Sequence, residues 1–247
     1  MDRAIYTAMG AANAALNRQA VTSNNLANAS TPGFRAQLMA YRAVPIEGPT
    51  YQTRALVVES TPYNDNTVGA VNHTGRSLDV ALPQDGWLAV ALADGSEAYT
   101  RSGNVEVDNE GQLRVRSLPL LGDAGPLTVP PQAQVTIAPD GTVSALGAGD
   151  DVTALTPVGR IKLVNVTAQN LRAGEDGLMY SIATPGEALA ADPTMTLTPG
   201  ALEGSNVSPV KAMVDMIANS RSFEMQMKVI STADENAMNA NQLLSIG

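Results

Sequence analysis

The side chains that most often do chemistry near neutral pH are scarce in this chain. It contains no cysteine and a single histidine, His73, so a thiolate nucleophile and a cysteine metal site are excluded. One histidine in a polar stretch is ordinarily solvated or locally hydrogen-bonded, which is weak support for either a metal ligand or a catalytic base. The sequence therefore predicts no catalytic, cofactor-binding or metal-binding residue.

Two acidic clusters are the remaining candidates for chemistry. Asp108 and Glu110 flank an asparagine just before Gly111, and Asp150 and Asp151 are adjacent. Neither cluster has the spaced oxygen ligands and terminal glutamate of a calcium-binding EF-hand loop, and short acidic segments with glycine are typical of turns. A hydrolase would need two acids converging in one pocket, and no pattern in the sequence indicates that.

Charge and hydropathy exclude two further classes of partner. The net charge of −9 is spread along 247 residues without a Lys/Arg cluster, so we expect no nucleic-acid binding. No stretch approaches the roughly 20 apolar residues of a membrane helix, so we expect no membrane insertion. The first residues lack a basic region followed by an apolar block, so export is expected to proceed without a cleaved signal peptide.

Long helices are predicted at both ends of the chain. Residues 2–28 contain no proline and are rich in alanine, and the helix should stop at the turn-forming residues Thr31, Pro32, Gly33 and Phe34. At the other end, Ser208 and Pro209 form a helix-start signal, with no later proline. Both helices carry a mixed apolar and polar heptad seam, so each alone is marginally stable and needs a partner.

We expect these seams to pack against each other and against neighbouring subunits. Three asparagines crowd the end of the first helix, where alanine would be preferred, which suggests hydrogen bonding outside the helix and favours contact between subunits. The predicted assembly interface comprises Ile5, Met9, Leu16, Gln19, Ser23, Asn24, Asn25, Leu26 and Asn28, with Met216, Ser220, Phe223, Met227, Ile230, Asp234, Ala237, Asn241 and Leu244.

Between the helices, short alternating runs separated by tight turns predict a mainly antiparallel β domain, and the turns are predicted at Asp94-Gly95, Asn109-Glu110-Gly111 and Pro139-Asp140-Gly141. The predicted fold class is α+β: a discontinuous helical domain from paired N- and C-terminal helices with an inserted, mainly antiparallel β domain. The predicted boundaries are 1–33 for the first helix and its turn, 34–74 for an extended connector, 75–202 for the β domain and 203–247 for the last helix.

Several motifs resemble the flagellar basal-body rod protein family. The longest is Leu16-x-x-Gln19-Ala20-x-x-Ser23-Asn24-Asn25-Leu26-Ala27-Asn28-x-x-Thr31-Pro32-Gly33-Phe34-Arg35. The middle adds Leu78-Asp79-Val80-Ala81, Gly86-Trp87-Leu88 and Tyr99-Thr100-Arg101-x-Gly103, and the end adds Leu202-Glu203-Gly204-Ser205-Asn206-Val207 and Arg221-x-Phe223-Glu224. The matches cover nearly the whole chain in the family's order. Gln84 and Trp87-Leu88 depart from the usual glycine and pair of phenylalanines.

The resemblance implies a structural subunit rather than an enzyme. The opening Ile5-Tyr6-Thr7-Ala8-Met9 and the segment around Arg42-Ala43-Val44-Pro45 resemble the proximal-rod members more than the distal-rod or hook members. Membership implies export by the flagellar type III apparatus and polymerisation in the periplasmic rod, between other proximal-rod proteins and the distal-rod protein. It also implies that the helices form inner layers around the channel.

Two further expectations concern particular residues and an alternative function. Asp79 and Arg101 lie in motif segments and are predicted to form an ion pair that joins two strands. The alternative function is a surface binding or adhesion module that its terminal helices merely oligomerise. Such a module should show clustered exposed aromatic residues or converging charges, and aromatic residues make up only 4% of the chain.

Overall fold

The structure is a computed structural model, and it describes residues 2–45, 55–59, 63–147, 155–174, 176–182 and 187–245. A long helix at each end flanks a mainly antiparallel β region, which confirms the α+β class. The chain divides into two compact units. The helical unit contains residues 1–29, 36–65 and 207–247, and the β unit contains residues 30–35 and 66–206.

Local hydrogen bonds and a proline mark the ends of the two helices. Helix α1 spans Asp2–Ala27, and Asn28 closes it by donating its side-chain amide to the Asn24 carbonyl oxygen at 2.9 Å. Helix α2 spans Pro209–Ser245. Ser208 caps it, because its carbonyl accepts the first helical hydrogen bond from Ala212, and Pro209 has no N–H that would lack a partner there.

Helices α1 and α2 pack together along a seam of small and large residues. A row of buried and half-buried side chains follows heptad spacing in each helix, and Asn219 donates a side-chain hydrogen bond to Thr22 Oγ1 at 3.3 Å. In α1 the positions of this row are Ile5, Ala8, Ala12, Ala15, Gln19, Thr22 and Leu26. In α2 they are Ala212, Met216, Asn219, Phe223, Gln226, Ile230, Ala233, Ala237 and Ala240.

About half of the predicted seam positions do not face the other helix within the subunit. In α1 the positions predicted at Met9, Leu16 and Ser23 are exposed, and the preceding residues take their place. The same shift occurs in α2, where the alternate positions predicted as seam are exposed: Ser220, Met227, Asp234 and Asn241. At four of the shifted positions the residue in the seam is an alanine smaller than the predicted residue, which lets the helices approach closely there: Ala8, Ala15, Ala233 and Ala240.

Two short antiparallel ribbons complete the helical unit. Strand β1 (Gln37–Leu38) pairs with β4 (Tyr63–Asn64), and β2 (Tyr41–Pro45) pairs with β3 (Ala55–Glu59). The Tyr41 hydroxyl donates to the Ala14 carbonyl oxygen of α1 at 3.1 Å. The Arg18 guanidinium lies 5.2 Å from the centre of the Tyr41 ring. The described part of the stretch predicted as an extended connector thus carries paired strands.

The β unit consists of short antiparallel strands separated by glycine turns. Its largest sheet has five strands in the order β17-β7-β8-β19-β18. The strands are β5 (Val71–His73), β6 (Val80–Ala81), β7 (Gly86–Ala91), β8 (Glu97–Thr100), β9 (Val105–Val107), β10 (Leu113–Val115), β11 (Leu118–Pro119), β12 (Leu121–Gly122), β13 (Gly125–Pro126), β14 (Gln134–Ile137), β15 (Thr142–Leu146), β16 (Thr156–Arg160), β17 (Leu163–Asn165), β18 (Leu171–Ala173), β19 (Met179–Ser181), β20 (Thr198–Pro199) and β21 (Ala201–Glu203). The predicted turns at Gly95, Gly111 and Gly141 all have positive φ.

Strand β7 is buried on both faces. Its alternating side chains enter two apolar clusters, with Leu88 and Val90 in a large aliphatic one and Trp87 and Ala89 in a smaller one. The indole N–H of Trp87 donates to the Val166 carbonyl oxygen at 2.9 Å. The β unit therefore has its own hydrophobic core and a single tryptophan that reports on it.

Gly103 allows two backbones to touch, and replacing it tests that contact. A Cβ added at Gly103 would lie 1.6 Å from the Val80 carbonyl oxygen. We expect Gly103→Ala to lower the free energy of unfolding of the β unit by about 3 kcal/mol, measured by urea denaturation with Trp87 fluorescence. Gly10→Ala is the control, because nothing lies within 4 Å of the added Cβ. An unchanged urea midpoint for Gly103→Ala would contradict the packing.

Tyr99 makes the stability of the β unit depend on alkaline pH. Burial raises the pKa of Tyr99 to about 12, against the opposing hydrogen bond from the Leu189 N–H at 2.8 Å. The pKa of Tyr99 is higher in the folded than in the unfolded state, so folding favours the neutral phenol. The contribution of the neutral phenol to stability is complete below pH 10 and is lost as pH rises to 12. We expect the wild-type protein to lose roughly 2 to 3 kcal/mol more than Tyr99→Phe over that interval. Parallel urea midpoints for the two proteins would contradict the assignment.

Candidate assembly surface

The predicted interface residues of α1 divide between the seam and the outer surface. Ile5, Gln19 and Leu26 are half-buried in the seam with α2, whereas Met9, Leu16, Ser23 and Asn24 are exposed. Gln19 Oε1 is buried without a hydrogen-bond partner among the described residues. Asn25 and Asn28 are half-buried. The predicted set therefore does not form one continuous face of the helix.

The predicted residues of α2 divide in the same way. Met216, Phe223, Ile230 and Ala237 are half-buried in the seam. The exposed predicted residues are Ser220, Met227, Asp234 and Asn241, and the side chain of Leu244 lies outside the described residues. The exposed residues of this set remain accessible to solvent in the subunit, and their role in assembly stays a prediction.

Most of the exposed apolar surface of α2 comes from residues that the heptad pattern did not select. They are Val210, Met213, Val214, Ile217, Met225, Val229, Met238 and Leu243, and Tyr6 is their counterpart on α1. These residues lie all around the part of α2 that does not face α1. The signal available in the sequence was the number of large apolar residues outside the heptad positions, which stand among charged residues such as Lys211, Asp215 and Glu224.

Both polar atoms of the Asn25 side-chain amide form hydrogen bonds within the chain. Its Nδ2 donates to the Gln37 carbonyl oxygen and its Oδ1 accepts from the Gln37 N–H, each at 2.8 Å. The side chain therefore pairs with β1 as a neighbouring strand would, and this hydrogen bonding is not available to another subunit. Asn24, which is exposed, is the member of the cluster still free to meet one through its side chain.

The predicted turn after α1 is tight and closely packed in the β unit. The Phe34 N–H donates to the Thr31 carbonyl oxygen at 3.2 Å. Gly33 has a φ of 70°, and an added Cβ would lie 2.5 Å from the Arg101 carbonyl group. Pro32 is the second residue of this turn. Both the conformation and the contact explain why glycine occupies position 33.

A buried carboxylate joins three of the family-like motifs within the β unit. Glu203 Oε1 accepts from Arg35 at 2.9 Å and from the Gly69 N–H at 3.1 Å. Glu203 Oε2 accepts from Arg101 Nη2 at 2.6 Å and from Arg101 Nε at 2.9 Å. The side chains of Glu203 and Arg101 are each 1% exposed. The Arg101 guanidinium also lies 5.4 Å from the Trp87 ring centre.

The predicted ion pair between Asp79 and Arg101 is wrong. Asp79 instead accepts from Arg76 at 3.1 Å and from the Thr74 hydroxyl at 2.7 Å. Both side chains are buried, but Asp79 is satisfied by Arg76 and Thr74, while Arg101 pairs with Glu203. Sequence reasoning missed the pairing with Glu203 because it is 102 residues from Arg101.

The remaining candidates for chemistry form turns and exposed positions. His73 lies in β5 and is exposed. Asp108 Oδ1 accepts from the backbone N–H groups of Glu110 and Gln112 at 2.9 and 2.8 Å, as a turn residue does. The predicted loop at Asp150 and Asp151 lies outside the described residues. Among the described residues, neither a metal-binding group of three His, Asp or Glu side chains nor a helix able to cross a membrane is found.

Three parts of the chain match families of flagellar proteins. Residues 5–35 match "Flagella basal body rod protein", residues 81–145 match "Flagellar hook protein FlgE/F/G D1 domain", and residues 198–243 match "Flagellar basal body rod FlgEFG protein C-terminal". The chain is also 59% identical over 250 residues, with 100% of both chains covered, to the flagellar basal-body rod protein FlgF of Escherichia coli strain K12. The chain belongs to the flagellar basal-body rod protein family.

Other relatives refine the position within the family. The flagellar basal-body rod protein FlgF of Salmonella typhimurium strain LT2 is 57% identical over 250 residues, again with 100% of both chains covered. The flagellar basal-body rod protein FlgG of Agrobacterium fabrum is 32% identical over 241 residues, covering 88% of this chain and 90% of that protein. The higher identity to the FlgF proteins confirms the resemblance predicted from the sequence.

Family membership establishes the class of function. The chain is a structural subunit of the flagellar basal-body rod, and it is not an enzyme. It is located in the flagellar basal body and assembles with other rod components. This assignment replaces the alternative of a surface binding or adhesion module.

The two hydrogen bonds of Asn25 give a test of the contact between α1 and β1. We expect Asn25→Ala to remove the protection of the Gln37 N–H in hydrogen exchange and to destabilise the helical unit by about 2 kcal/mol, because two backbone groups lose their partners. Asn24→Ala is the matched control and should change stability by less than about 0.5 kcal/mol. Equal exchange at Gln37 in both variants would show that the contact is absent.

Proposed function

We propose that this rod subunit assembles through its terminal helices. The observation that carries the proposal is the row of exposed valine, isoleucine, methionine and leucine side chains on α2 that α1 leaves uncovered. Exposed apolar surface of this extent marks an interaction site. The helices of neighbouring subunits have the same apolar composition and are the occupants that best match it.

In this proposal the axial domain of the subunit consists of residues 1–33 and 203–247. The helices form inner layers around a channel, and the β domain of residues 75–202 lies outside them. The subunit thereby helps to build the drive shaft and the export channel of the flagellum. A β unit with its own core supports this division of labour, because its fold does not require the apolar surface of α2.

We further propose a place in the proximal rod, on the periplasmic side of the inner membrane. The partners are other proximal-rod proteins on one side and the distal-rod protein on the other, after delivery by the flagellar type III export apparatus. The higher identity to FlgF proteins than to FlgG supports the proximal position. A chain without cysteine suits a route in which it travels unfolded and must not form disulfides on the way.

Complementation of an in-frame deletion tests the proposal. The deletion strain receives the full-length chain or a chain lacking residues 2–28, and motility and complete rods in isolated basal bodies are scored. The account predicts that only the full-length chain restores both. Complete rods with the shortened chain would show that α1 is dispensable for assembly.

A charged substitution on the exposed face of α2 is the sharper test. Ile217→Glu and Met227→Glu place a carboxylate on apolar surface that solvent reaches in the free subunit. We expect each to change the free energy of unfolding by less than about 0.5 kcal/mol and to prevent rod completion, because burial of the charge in the assembly is unfavourable. Gln134→Glu, at an exposed position of β14, is the matched control and should restore rods. Normal rods with both α2 variants would refute the proposed interface.

A further inference from the structure

The buried Glu203 carboxylate has no role in the helix contacts described above. It lies at the end of β21, six residues before α2 begins at Pro209. One of its partners, Arg35, comes eight residues after α1 ends at Ala27. The ion pair therefore joins the segment that follows the first helix to the segment that precedes the second.

Backbone hydrogen bonds reinforce the same junction within the β unit. The Gly33 N–H donates to the Glu203 carbonyl oxygen at 2.8 Å, and the Asn206 N–H donates to the Phe34 carbonyl oxygen at 3.3 Å. The Gly204 N–H donates to the Ala70 carbonyl oxygen at 2.8 Å. We name residues 30–35 and 203–206, together with Arg101, the junction.

Electrostatics makes the junction depend on this one carboxylate. Two guanidinium groups, of Arg35 and Arg101, meet a single carboxylate, and all three side chains are buried. Arg101 also donates to the backbone carbonyls of Leu82, Pro83, Gln84 and Gly86, which satisfy its N–H groups but supply no negative charge. Without the carboxylate, the buried Arg101 would lose its counter-charge and the buried Arg35 would lose an ion pair, and removing one partner of a buried ion pair is strongly unfavourable.

We propose that the Glu203 carboxylate is a positioning group for rod assembly. By binding Arg35 and Arg101, it holds the two segments that lead into the terminal helices at one point of the β unit. A subunit in which the junction is open still forms its β core, but the two segments that lead into its helices are no longer held together by the ion pair. This inference rests on the proposed assembly through the terminal helices.

The test compares assembly among variants of equal stability, because loss of a buried ion pair also lowers stability. Full-length Glu203→Gln is expressed in the deletion strain, and complete rods are counted at a temperature at which Trp87 fluorescence shows a folded β unit. Val143→Ala and Leu113→Ala are the controls, because they remove core side chains that are 0% exposed and lie outside the junction. Controls are compared at the same shift in melting temperature.

We expect loss of complete rods with Glu203→Gln and normal rods with the core variants. If rods fall equally at an equal melting-temperature shift, the carboxylate only stabilises the β unit and the proposal is overturned. Arg35→Met decides the matter if Glu203→Gln does not fold, because it opens one side of the junction and keeps the Arg101–Glu203 pair. It is expected to lose rods, and normal rods would overturn the proposal. Rods restored by the chain lacking residues 2–28 would instead refute assembly through the helices.

Discussion

The apolar surface of α2 that α1 leaves uncovered is the constraint from which the account of this protein follows. The seam between the two helices mixes alanines with larger residues such as Phe223 and Ile230, and it covers one side of each helix. Val210, at 72% exposure, and Leu243, at 76%, stand near the two ends of α2. A helix of 37 residues with such a surface has found only part of its packing in the free subunit.

The β unit, in contrast, has its own apolar core and pairs its buried charges within itself. Its strands bury two apolar clusters, and its innermost charges pair with each other. A β unit with its own core and a helical unit with exposed apolar surface together suit the proposed assembly, in which neighbouring subunits cover the helices. The junction at Glu203 lies in the β unit and binds both segments that lead to the helices.

Local sequence signals predicted the helices, strands and turns of this fold. Two features that depend on contacts between distant residues could not be predicted from them. Ser208 and Pro209 indicated the start of α2, and the turn glycines Gly95, Gly111 and Gly141 indicated the hairpins, because each acts through its neighbours in sequence. The phase of the heptad was ambiguous, because a residue and the one before it lie on adjacent parts of a helix. In α1, for example, the bulky Met9 and Leu16 suggested one phase, whereas Ala8 and Ala15 lie in the seam. Arg101 and Glu203 were both recognised as motif residues, but their pairing was not, since nothing local connects positions 102 residues apart.

Oxidation footprinting of the methionines in α2 tests the central claim most directly. Met213, Met225, Met227 and Met238 are exposed in the subunit, whereas Met179 and Met195 are buried in the β unit and serve as internal controls. Peroxide oxidation of the free chain and of isolated rods is compared by mass spectrometry, since sulfoxide formation follows exposure. The account predicts that the α2 methionines are oxidised in the free chain and protected in rods, with the two controls slow in both. Equal oxidation of the α2 methionines in rods and in the free chain would contradict assembly through this surface.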